Sequence, residues 1–390
     1  MLLKNTRSFF QIKEVASLGF LFSTSSLMIG IWAAALPFII KRLEVSDGEL
    51  GLLLLFGPMG SLCGVFISGY VFSKVKVGTW LGNGNMLYVA LITLEILAPN
   101  KWLFGAALFF RGFISFLNGV AVNTMVGILE TKYQRRFMST SHAMYSVGGG
   151  VSAGIAALLY GLKVNSGWQA FLIGGFIVIM ILILKKYYLA HDFYVHSKSS
   201  FNFPDRTILG LSFICLVIFM TEGCIVDWSS IYLERNLSVP VYLISLGYGG
   251  FATAMTLGRL NGDRIIPKIG EKNIVVGGTI IAALGMVLVS LGGSSWAAIL
   301  GFTITGVGCA GIVPVLFSAA GKIPGVSPVQ GFAMITSGGL IGFVAGPSII
   351  GFISERTNLS YGFLIVLFML LLASTTGWAN KWLSAPISTN

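Results

Sequence analysis

Charged side chains are scarce in this 390-residue chain, because Asp, Glu, Lys and Arg together make up only 10% of it. A soluble globular domain carries roughly 25%. Cysteine and histidine are also rare, at 4 and 3 residues, and they do not cluster, so no metal site is predicted. No Walker-type phosphate loop is present, which excludes ATP as the energy source. These absences argue against a soluble protein and against an enzyme, and they imply no cofactor.

Long apolar runs dominate the chain instead, and its mean hydropathy is +0.86. Twelve runs of about 20 or more residues are each long enough to cross a hydrocarbon core of roughly 30 Å as a helix. They lie near residues 15–40, 49–72, 79–98, 102–130, 138–160, 168–185, 207–233, 239–258, 273–292, 296–320, 327–351 and 360–380. We therefore predict an all-α membrane protein with twelve transmembrane helices.

The second half of the chain repeats the first at an offset of 190 residues. The stretch His142–Gly149 reappears as Phe332–Gly339, and the pair Ser73-Lys74 falls on Asp263-Arg264. Two parallel six-helix repeats are typical of secondary transporters, whose solute site lies at the interface between the repeats. The repeat predicts an N-terminal bundle at 1–190, a cytoplasmic linker at 191–206 and a C-terminal bundle at 207–390.

The net charge of +11 is distributed unevenly along the chain. With a cytoplasmic N-terminus, most of the 25 Lys and Arg residues fall on cytoplasmic segments, including Arg135, Arg136, Lys185 and Lys186. This positive-inside bias orients a multi-pass protein in the bacterial inner membrane with both termini in the cytoplasm. The basic balance thus reports topology among membrane lipids and gives no reason to expect nucleic acid as a partner.

A short basic motif in the second half carries a family resemblance. Gly258-Arg259-Leu260-Asn261-Gly262-Asp263-Arg264 approximates the cytoplasmic loop motif G-x-x-x-D-R-x-G-x-x-R, and Gly69–Lys74 is a degraded first-half copy in which Ser73 replaces the aspartate. In these residues the chain resembles the major facilitator superfamily. Two further stretches, Asn118–Gly149 and Glu222–Leu233, look like the YbjJ-like bacterial transporters within it. The resemblance implies the major facilitator fold and transport by alternating access.

Arg111 lies inside the fourth predicted helix, where an ionisable group is costly and is a functional hypothesis by default. Its i, i+4, i+7 spacing places it on one helical face with Ser115 and Asn118. The resemblance implies that helices one, four, seven and ten line the cavity, which puts Arg111 and Glu222 on opposite walls. The residues predicted to contact substrate are Trp32, Arg111, Ser115, Asn118, Asn123 and Glu222.

Two interpretations of Arg111 stay open. It binds a substrate carboxylate or phosphate, whose oxygens match a guanidinium in a bidentate way, or it forms a structural ion pair with Glu222. Glu222 is also a candidate for proton coupling, because its protonation would respond to burial and to a nearby cation. Asp227 is a second candidate, with a role as a loop anchor as the competing interpretation. Glu95 is expected near the external end of the third helix, exposed to water and without a role.

A gating set is predicted at the cytoplasmic side. By the superfamily pattern, the loop of Asp263 approaches the start of the fifth helix, where a carboxylate gains from unpaired N–H groups and the helix dipole. Ser73 lacks this charge, so the latch should depend on Asp263. Lys74 and Arg264 belong to the same set, together with His142, for which an ordinary helix-end contact is the competing interpretation.

The best interpretation is a secondary active transporter that moves a small polar metabolite by alternating access, driven by protons. Arg111 favours an organic anion over a sugar-like solute. Two alternatives stay open. One is efflux of amphipathic compounds, which the aromatic content of 13% also suits. The other is a membrane sensor that binds a solute without transporting it.

Overall fold

The computed structural model describes residues 9–135, 137–194, 208–320, 323 and 328–383, without the side chains of residues 139, 191, 263, 264, 328–330, 332 and 333. Regular structure in this part of the chain is helical throughout. The helices are α1 (Lys13–Leu43), α2 (Asp47–Leu54), α3 (Phe56–Lys74), α4 (Val77–Leu97), α5 (Lys101–Tyr133), α6 (Met138–Gly161), α7 (Ser166–Tyr188), α8 (Leu209–Arg235), α9 (Leu246–Ile269), α10 (Glu271–Leu291), α11 (Ser295–Cys309), α12 (Ile312–Ala320), α13 (Pro328–Arg356) and α14 (Leu359–Ala379). Short 3-10 turns lie at Leu189–His191, Val241–Leu243 and Lys381–Leu383.

Within the described residues, 12 helical segments are long and apolar enough to cross a membrane. The second of them combines α2 and α3 as Asp47–Lys74, and the tenth combines α11 and α12 as Ser295–Ala320. The prediction of twelve transmembrane helices is confirmed, and the protein is an all-α membrane protein.

The basic motif at 258–264 lies in a helix rather than in a loop. The sequence predicted that the eighth apolar run ends near residue 258, but α9 continues to Ile269. Polar residues do not stop a helix that protrudes from the apolar region, because its backbone hydrogen bonds are satisfied within the helix. The loop expectation for this motif was therefore wrong.

Five spans begin at a polar residue that caps the helix. Ser46, Asn100, Asn165, Ser294 and Asn358 each accept a hydrogen bond from a backbone N–H of the first turn. Such a side chain satisfies one of the N–H groups that a helix start leaves unpaired. The start of these spans is thus determined locally, by a cap placed directly before an apolar run.

The first compact unit comprises Met1–Val45 and Phe56–Ser200. In it, α1 packs against α4, α5, α6 and α7. The backbones of α3 and α5 approach so closely that a Cβ on Gly60 would lie 1.8 Å from the carbonyl oxygen of Phe109. Small residues permit such close helix packing in a lipid environment. This unit holds Arg111 together with its neighbours Trp32, Tyr88 and Glu95.

The second compact unit comprises Ser46–Leu55 and Phe201–Asn390. Its helix α2 packs on α13, and the Ser348 hydroxyl donates a hydrogen bond of 2.8 Å to the carbonyl of Gly51. Asp47 accepts hydrogen bonds from Arg235 at 2.6 Å and from the Ser354 hydroxyl at 2.5 Å. The predicted domain limits did not anticipate that residues 46–55 group with the second half, because hydropathy alone carries no information about tertiary contacts.

The first residues of the predicted linker pack onto α4. Asp192 accepts hydrogen bonds from the backbone N–H of Thr79 at 3.0 Å and from its hydroxyl at 2.7 Å. The carbonyl of Phe193 accepts a further bond of 2.9 Å from the N–H of Val77. Asp192 thus supplies a carboxylate to the N-terminus of α4, a position that favours negative charge. Residues 195–207 lie outside the described part.

Candidate functional site

Arg111 on α5 forms an ion pair with Glu95 on α4. The Nε–Oε1 distance is 2.7 Å, the Arg111 side chain is 15% exposed, and the Glu95 side chain is fully buried. The expectation that Glu95 is exposed to water was therefore wrong. Although Glu95 lies near the end of α4, side chains of α1 and α5 cover it. The pair places two opposite charges in the interior of the first unit, where each would be costly alone.

Trp32 on α1 completes this cluster. Its indole is 1% exposed, and the guanidinium carbon of Arg111 lies 4.9 Å from the centroid of its ring. A guanidinium over an aromatic face is attracted by the ring's negative potential, more strongly when both are desolvated. The structure thus brings together two residues predicted to contact substrate, Trp32 and Arg111. Their role in binding stays a prediction.

Two buried polar atoms of the cluster make no hydrogen bond to any described residue. They are Nε1 of Trp32 and Oε2 of Glu95. The indole N–H of Trp32 lies beside the Glu95 carboxylate and interacts with it, but the geometry falls short of a well-formed hydrogen bond. The hydroxyl of Tyr88, also on α4 and buried, interacts with Arg111 and with Ser25. Since buried polar atoms are nearly always paired, the two exceptions give this cluster unused hydrogen-bonding capacity.

The other predicted substrate contacts on α5 make different interactions. The Oδ1 atom of Asn118 accepts a hydrogen bond of 3.0 Å from Nε1 of Trp80, so Asn118 joins α5 to α4. The Asn123 amide donates a bond of 2.9 Å to the carbonyl of Gly119 within its own helix. Ser115 is half-buried. Of the residues on α5 predicted to contact substrate, Arg111 is the one that pairs with Glu95.

Glu222 on α8 has a cation within its own unit. Arg259 on α9 acts electrostatically on Glu222, and both act on the buried thiol of Cys309 on α11. Arg259 was expected in a loop motif, so this relationship could not be predicted from the sequence. Each unit thus holds an acid on a membrane-spanning helix that an arginine of the same unit influences. Neither Arg111 nor Glu222 needs the other for charge balance.

The segment after Glu222 joins α8 to α13. Trp228 is fully buried and its Nε1 donates a hydrogen bond of 2.9 Å to the carbonyl of Pro347. Asp227 is half-buried one residue earlier and acts electrostatically on Cys224. The hydroxyl of Ser229 is buried without a hydrogen-bond partner in the described residues. Trp228 anchors this part of α8, whereas the proton-coupling role of Asp227 stays a prediction.

The carboxylate of Glu130, for which no role was predicted, caps the start of α6. Oε1 of Glu130 accepts hydrogen bonds from the N–H groups of Phe137 and Met138, the latter at 2.8 Å. This is the N-terminus at which Asp263 was expected to act. A carboxylate from the first unit already satisfies part of its N–H groups, so the predicted latch would add a second negative charge there.

Of the remaining residues predicted to act in gating, His142 and Lys74 lie near helix ends. His142 is exposed in the second turn of α6, with its ring 4.9 Å from that of Phe22. Lys74 is the last residue of α3 and is exposed. The side chains of Asp263 and Arg264 lie outside the described residues. The gating assignment therefore stays a prediction. Among the residues that the structure describes, no group of three or more His, Cys, Asp or Glu could hold a metal ion.

The twelve spans and the buried charges of both units define a polytopic membrane protein of the transporter class. A family model for the Major Facilitator Superfamily (MFS) matches residues 18–322. An uncharacterized MFS-type transporter of Yersinia pestis is 34% identical over 377 residues, which cover 94% of this chain and 96% of the relative. Membrane protein MosC of Rhizobium meliloti is 27% identical over 361 residues, which cover 90% and 86%. The chain belongs to the Major Facilitator Superfamily.

Solved structures of two transporters share this fold. The nucleoside transporter NupG superposes with a TM-score of 0.74 at 10% identity, over 94% of this chain and 99% of NupG. A bacterial homolog of the human lysosomal transporter Spinster superposes with a TM-score of 0.67 at 14% identity, over 94% and 96%. At these identities the likeness shows the fold alone. The protein is a membrane transporter rather than an enzyme, as predicted, and its place in the YbjJ-like subgroup stays a prediction.

Proposed function

We propose that this transporter moves a small organic anion by alternating access, coupled to protons, across the bacterial inner membrane with both termini in the cytoplasm. The observation that supports an anion is the position of Arg111. It is a largely buried guanidinium on a membrane-spanning helix, placed over the ring of Trp32 and paired with the Glu95 carboxylate. Ionisable residues within a bilayer are rare and mark substrate or ion pathways.

The chemistry of the cluster suits a carboxylate or phosphate attached to an apolar body. A guanidinium presents its N–H donors in a fork that matches two oxygens of such a group. The buried ring of Trp32, 4.9 Å from the guanidinium carbon, adds an apolar neighbour to this fork. A sugar-like solute would use hydroxyl groups and would gain little from a formal positive charge. An anion is therefore favoured over a neutral solute.

Proton coupling is part of the same proposal because the protein has no site for ATP in its sequence. Both units contain an acid on a membrane-spanning helix that an arginine influences: Glu95 pairs with Arg111, and Arg259 acts electrostatically on Glu222. An acid whose cation is drawn away, or whose surroundings open to water, changes its affinity for protons. Glu222 and Asp227 were the candidates from the sequence, and Glu95 joins them.

A thermal-shift screen of the purified protein tests the anion proposal. Wild type, Arg111→Gln and the control Lys186→Gln, which removes an exposed cation from α7, are screened against organic anions, sugars and amphipathic drugs. We expect an anion to stabilise wild type and Lys186→Gln but not Arg111→Gln. A neutral ligand that stabilises all three proteins equally would refute the anion assignment.

Transport itself is tested with sealed vesicles that contain the purified protein. Accumulation of the stabilising compound against its gradient distinguishes a transporter from a sensor that only binds it. Export of amphipathic compounds, with no anion bound, would favour the efflux alternative instead.

A further inference from the structure

We infer that Glu95 is the proton-carrying residue of this transporter, and that the substrate anion and the Glu95 carboxylate compete for the Arg111 guanidinium. The inference rests on the proposed function, in which Arg111 binds an organic anion. It adds the identity of the proton carrier and the charge stoichiometry of transport.

The inference rests on the ion pair between Glu95 and Arg111, in which the two charges already cancel. The fully buried Glu95 and the Arg111 side chain, 15% exposed, meet at 2.7 Å and together have no net charge. An anion that joined the intact pair would add an uncompensated negative charge to a region of low dielectric constant, which is strongly unfavourable. If Glu95 takes up a proton as the anion arrives, the cluster stays neutral. Anion and proton therefore favour each other's binding, as linked ligands must.

The unpaired oxygen of Glu95 provides the place for that proton. Oε1 accepts the hydrogen bond from Arg111, whereas Oε2 is buried and makes no hydrogen bond to a described residue. A proton can bind to Oε2 without first breaking a hydrogen bond there. Burying a carboxylate oxygen without a partner is costly. A structural ion pair would be more stable with both oxygens bonded.

On the side where protons are more abundant, a solvated proton forms an O–H bond with the Glu95 carboxylate, and the ion pair with Arg111 is lost. The oxygens of the anion then accept hydrogen bonds from the N–H groups of the guanidinium. After the site opens to the other side, the anion leaves, the proton returns to water, and Glu95 pairs with Arg111 again. A monoanion and one proton cross together, with no net movement of charge.

The neighbours of Glu95 leave Arg111 as the group that controls its charge. On its own helix Tyr88 contributes a hydroxyl that interacts with Arg111. From α1, Arg42 donates a hydrogen bond of 2.7 Å to the carbonyl of Ile96. Its side chain is exposed, so water and salt screen its charge. On α7, Gly167 and Gly174 pack on α4 near Leu97 and Val89, and residues 166–184 contain no ionisable side chain.

Trp32 is the positioning residue in this scheme. Its ring contacts the guanidinium through the cation–π interaction, which does not depend on whether Glu95 is protonated. When Glu95 releases Arg111, the ring keeps the guanidinium in place for the anion. The cluster can thus exchange one acceptor for the other without moving the cation.

Infrared difference spectroscopy of the protein in lipid vesicles tests the proton carrier without any substrate. A change of pH should produce a band of a buried protonated carboxyl group in wild type and in Glu222→Gln, and this band should be absent in Glu95→Gln. The double variant Glu95→Gln/Arg111→Gln removes both charges together, so it covers the case in which Glu95→Gln alone does not fold. A band that persists without Glu95, or that disappears only in Glu222→Gln, overturns the inference.

Transport of gluconate and glycerate, monoanionic carboxylates whose neutral acids cross lipid poorly, tests the stoichiometry in the same vesicles. A gradient of one pH unit is equivalent to about 1.4 kcal/mol, which permits about tenfold accumulation of a monoanion that moves with one proton. We expect accumulation near that limit, unaffected by an imposed membrane potential, and a fall to about equal concentrations in Glu95→Gln. Accumulation that follows the potential, or that survives in Glu95→Gln, overturns the inference but leaves the anion proposal intact. If neither probe binds and Arg111→Gln affects no ligand, the proposed function fails, while the infrared result still decides whether Glu95 carries a proton.

Discussion

Glu95 and Arg111 lie on consecutive helices, α4 and α5, and pair at 2.7 Å with the carboxylate fully buried. The two charges differ in what happens when the partner is removed. A carboxylate left alone can take up a proton and become neutral, whereas a guanidinium keeps its charge in proteins. The single variants that break this pair are therefore not equivalent.

We predict that Glu95→Gln lowers stability more than Arg111→Gln. Leaving one charge of a buried pair uncompensated costs about 3–5 kcal/mol, and only the variant that retains Arg111 cannot avoid this cost by protonation. The double variant Glu95→Gln/Arg111→Gln should recover part of the loss because no charge remains. Thermal unfolding in detergent measures all three proteins. Equal losses in both single variants, with no recovery in the double variant, would contradict this account of the pair.

A second prediction concerns Glu130, which accepts hydrogen bonds from Phe137 and Met138 at the start of α6. Glu130→Ala removes this acceptor and exposes the first turn to water. Loss of a helix cap costs about 0.5–2 kcal/mol, so amide hydrogens in the first turn of α6 should exchange faster. Hydrogen-exchange mass spectrometry of peptides that cover residues 137–145 measures the effect. The control is Gln134→Ala, which changes an exposed residue between the two helices. Exchange that does not differ between the two variants would show that Glu130 does not cap α6.

A third prediction concerns Trp228, whose indole N–H donates to the carbonyl of Pro347. Trp228→Phe retains an aromatic ring but leaves that buried carbonyl without its donor. An unsatisfied buried acceptor costs about 1–3 kcal/mol, so the melting temperature should fall. The matched control is Trp168→Phe, since Trp168 is 63% exposed. If the control lowers the melting temperature as much as Trp228→Phe, the hydrogen bond is not what stabilises this position.

The helices could be predicted from the sequence because each span is specified locally. The run near 102–130 corresponds to α5, whose start is marked by the capping Asn100. Contacts between helices could not be predicted from hydropathy and motifs. Glu95 was missed because its distance from the end of α4 gives no indication that Trp32 and Arg111 cover it. One usable signal was present: an acid in the apolar helix directly before the helix that holds Arg111 is a candidate partner for it. Arg259 was missed because the extension of α9 past the apolar run depends on backbone hydrogen bonds and leaves no mark in hydropathy.

The last prediction concerns α2, which groups with the second unit and packs on α13. The N–H of Gly48 donates a hydrogen bond of 2.9 Å to Oε2 of Glu355 on α13, and a Cβ on Gly48 would lie 3.5 Å from the Glu355 side chain. The Cβ atoms of a disulfide lie about 3.5–4.5 Å apart, so Gly48→Cys and Glu355→Cys together, with the native cysteines replaced, should form a disulfide under mild oxidation.

A protease site inserted in the predicted 191–206 linker makes this disulfide measurable. After cleavage, two fragments should stay joined until a reductant is added. The matched control pairs Gly48→Cys with Gly277→Cys on α10, a glycine with open space around it, and should yield separate fragments. Asp47→Ala should slow the cross-link, since Asp47 holds α2 through Arg235 and Ser354. If the fragments separate without a reductant, residues 46–55 do not pack on α13 in the membrane, and their grouping with the second unit is wrong.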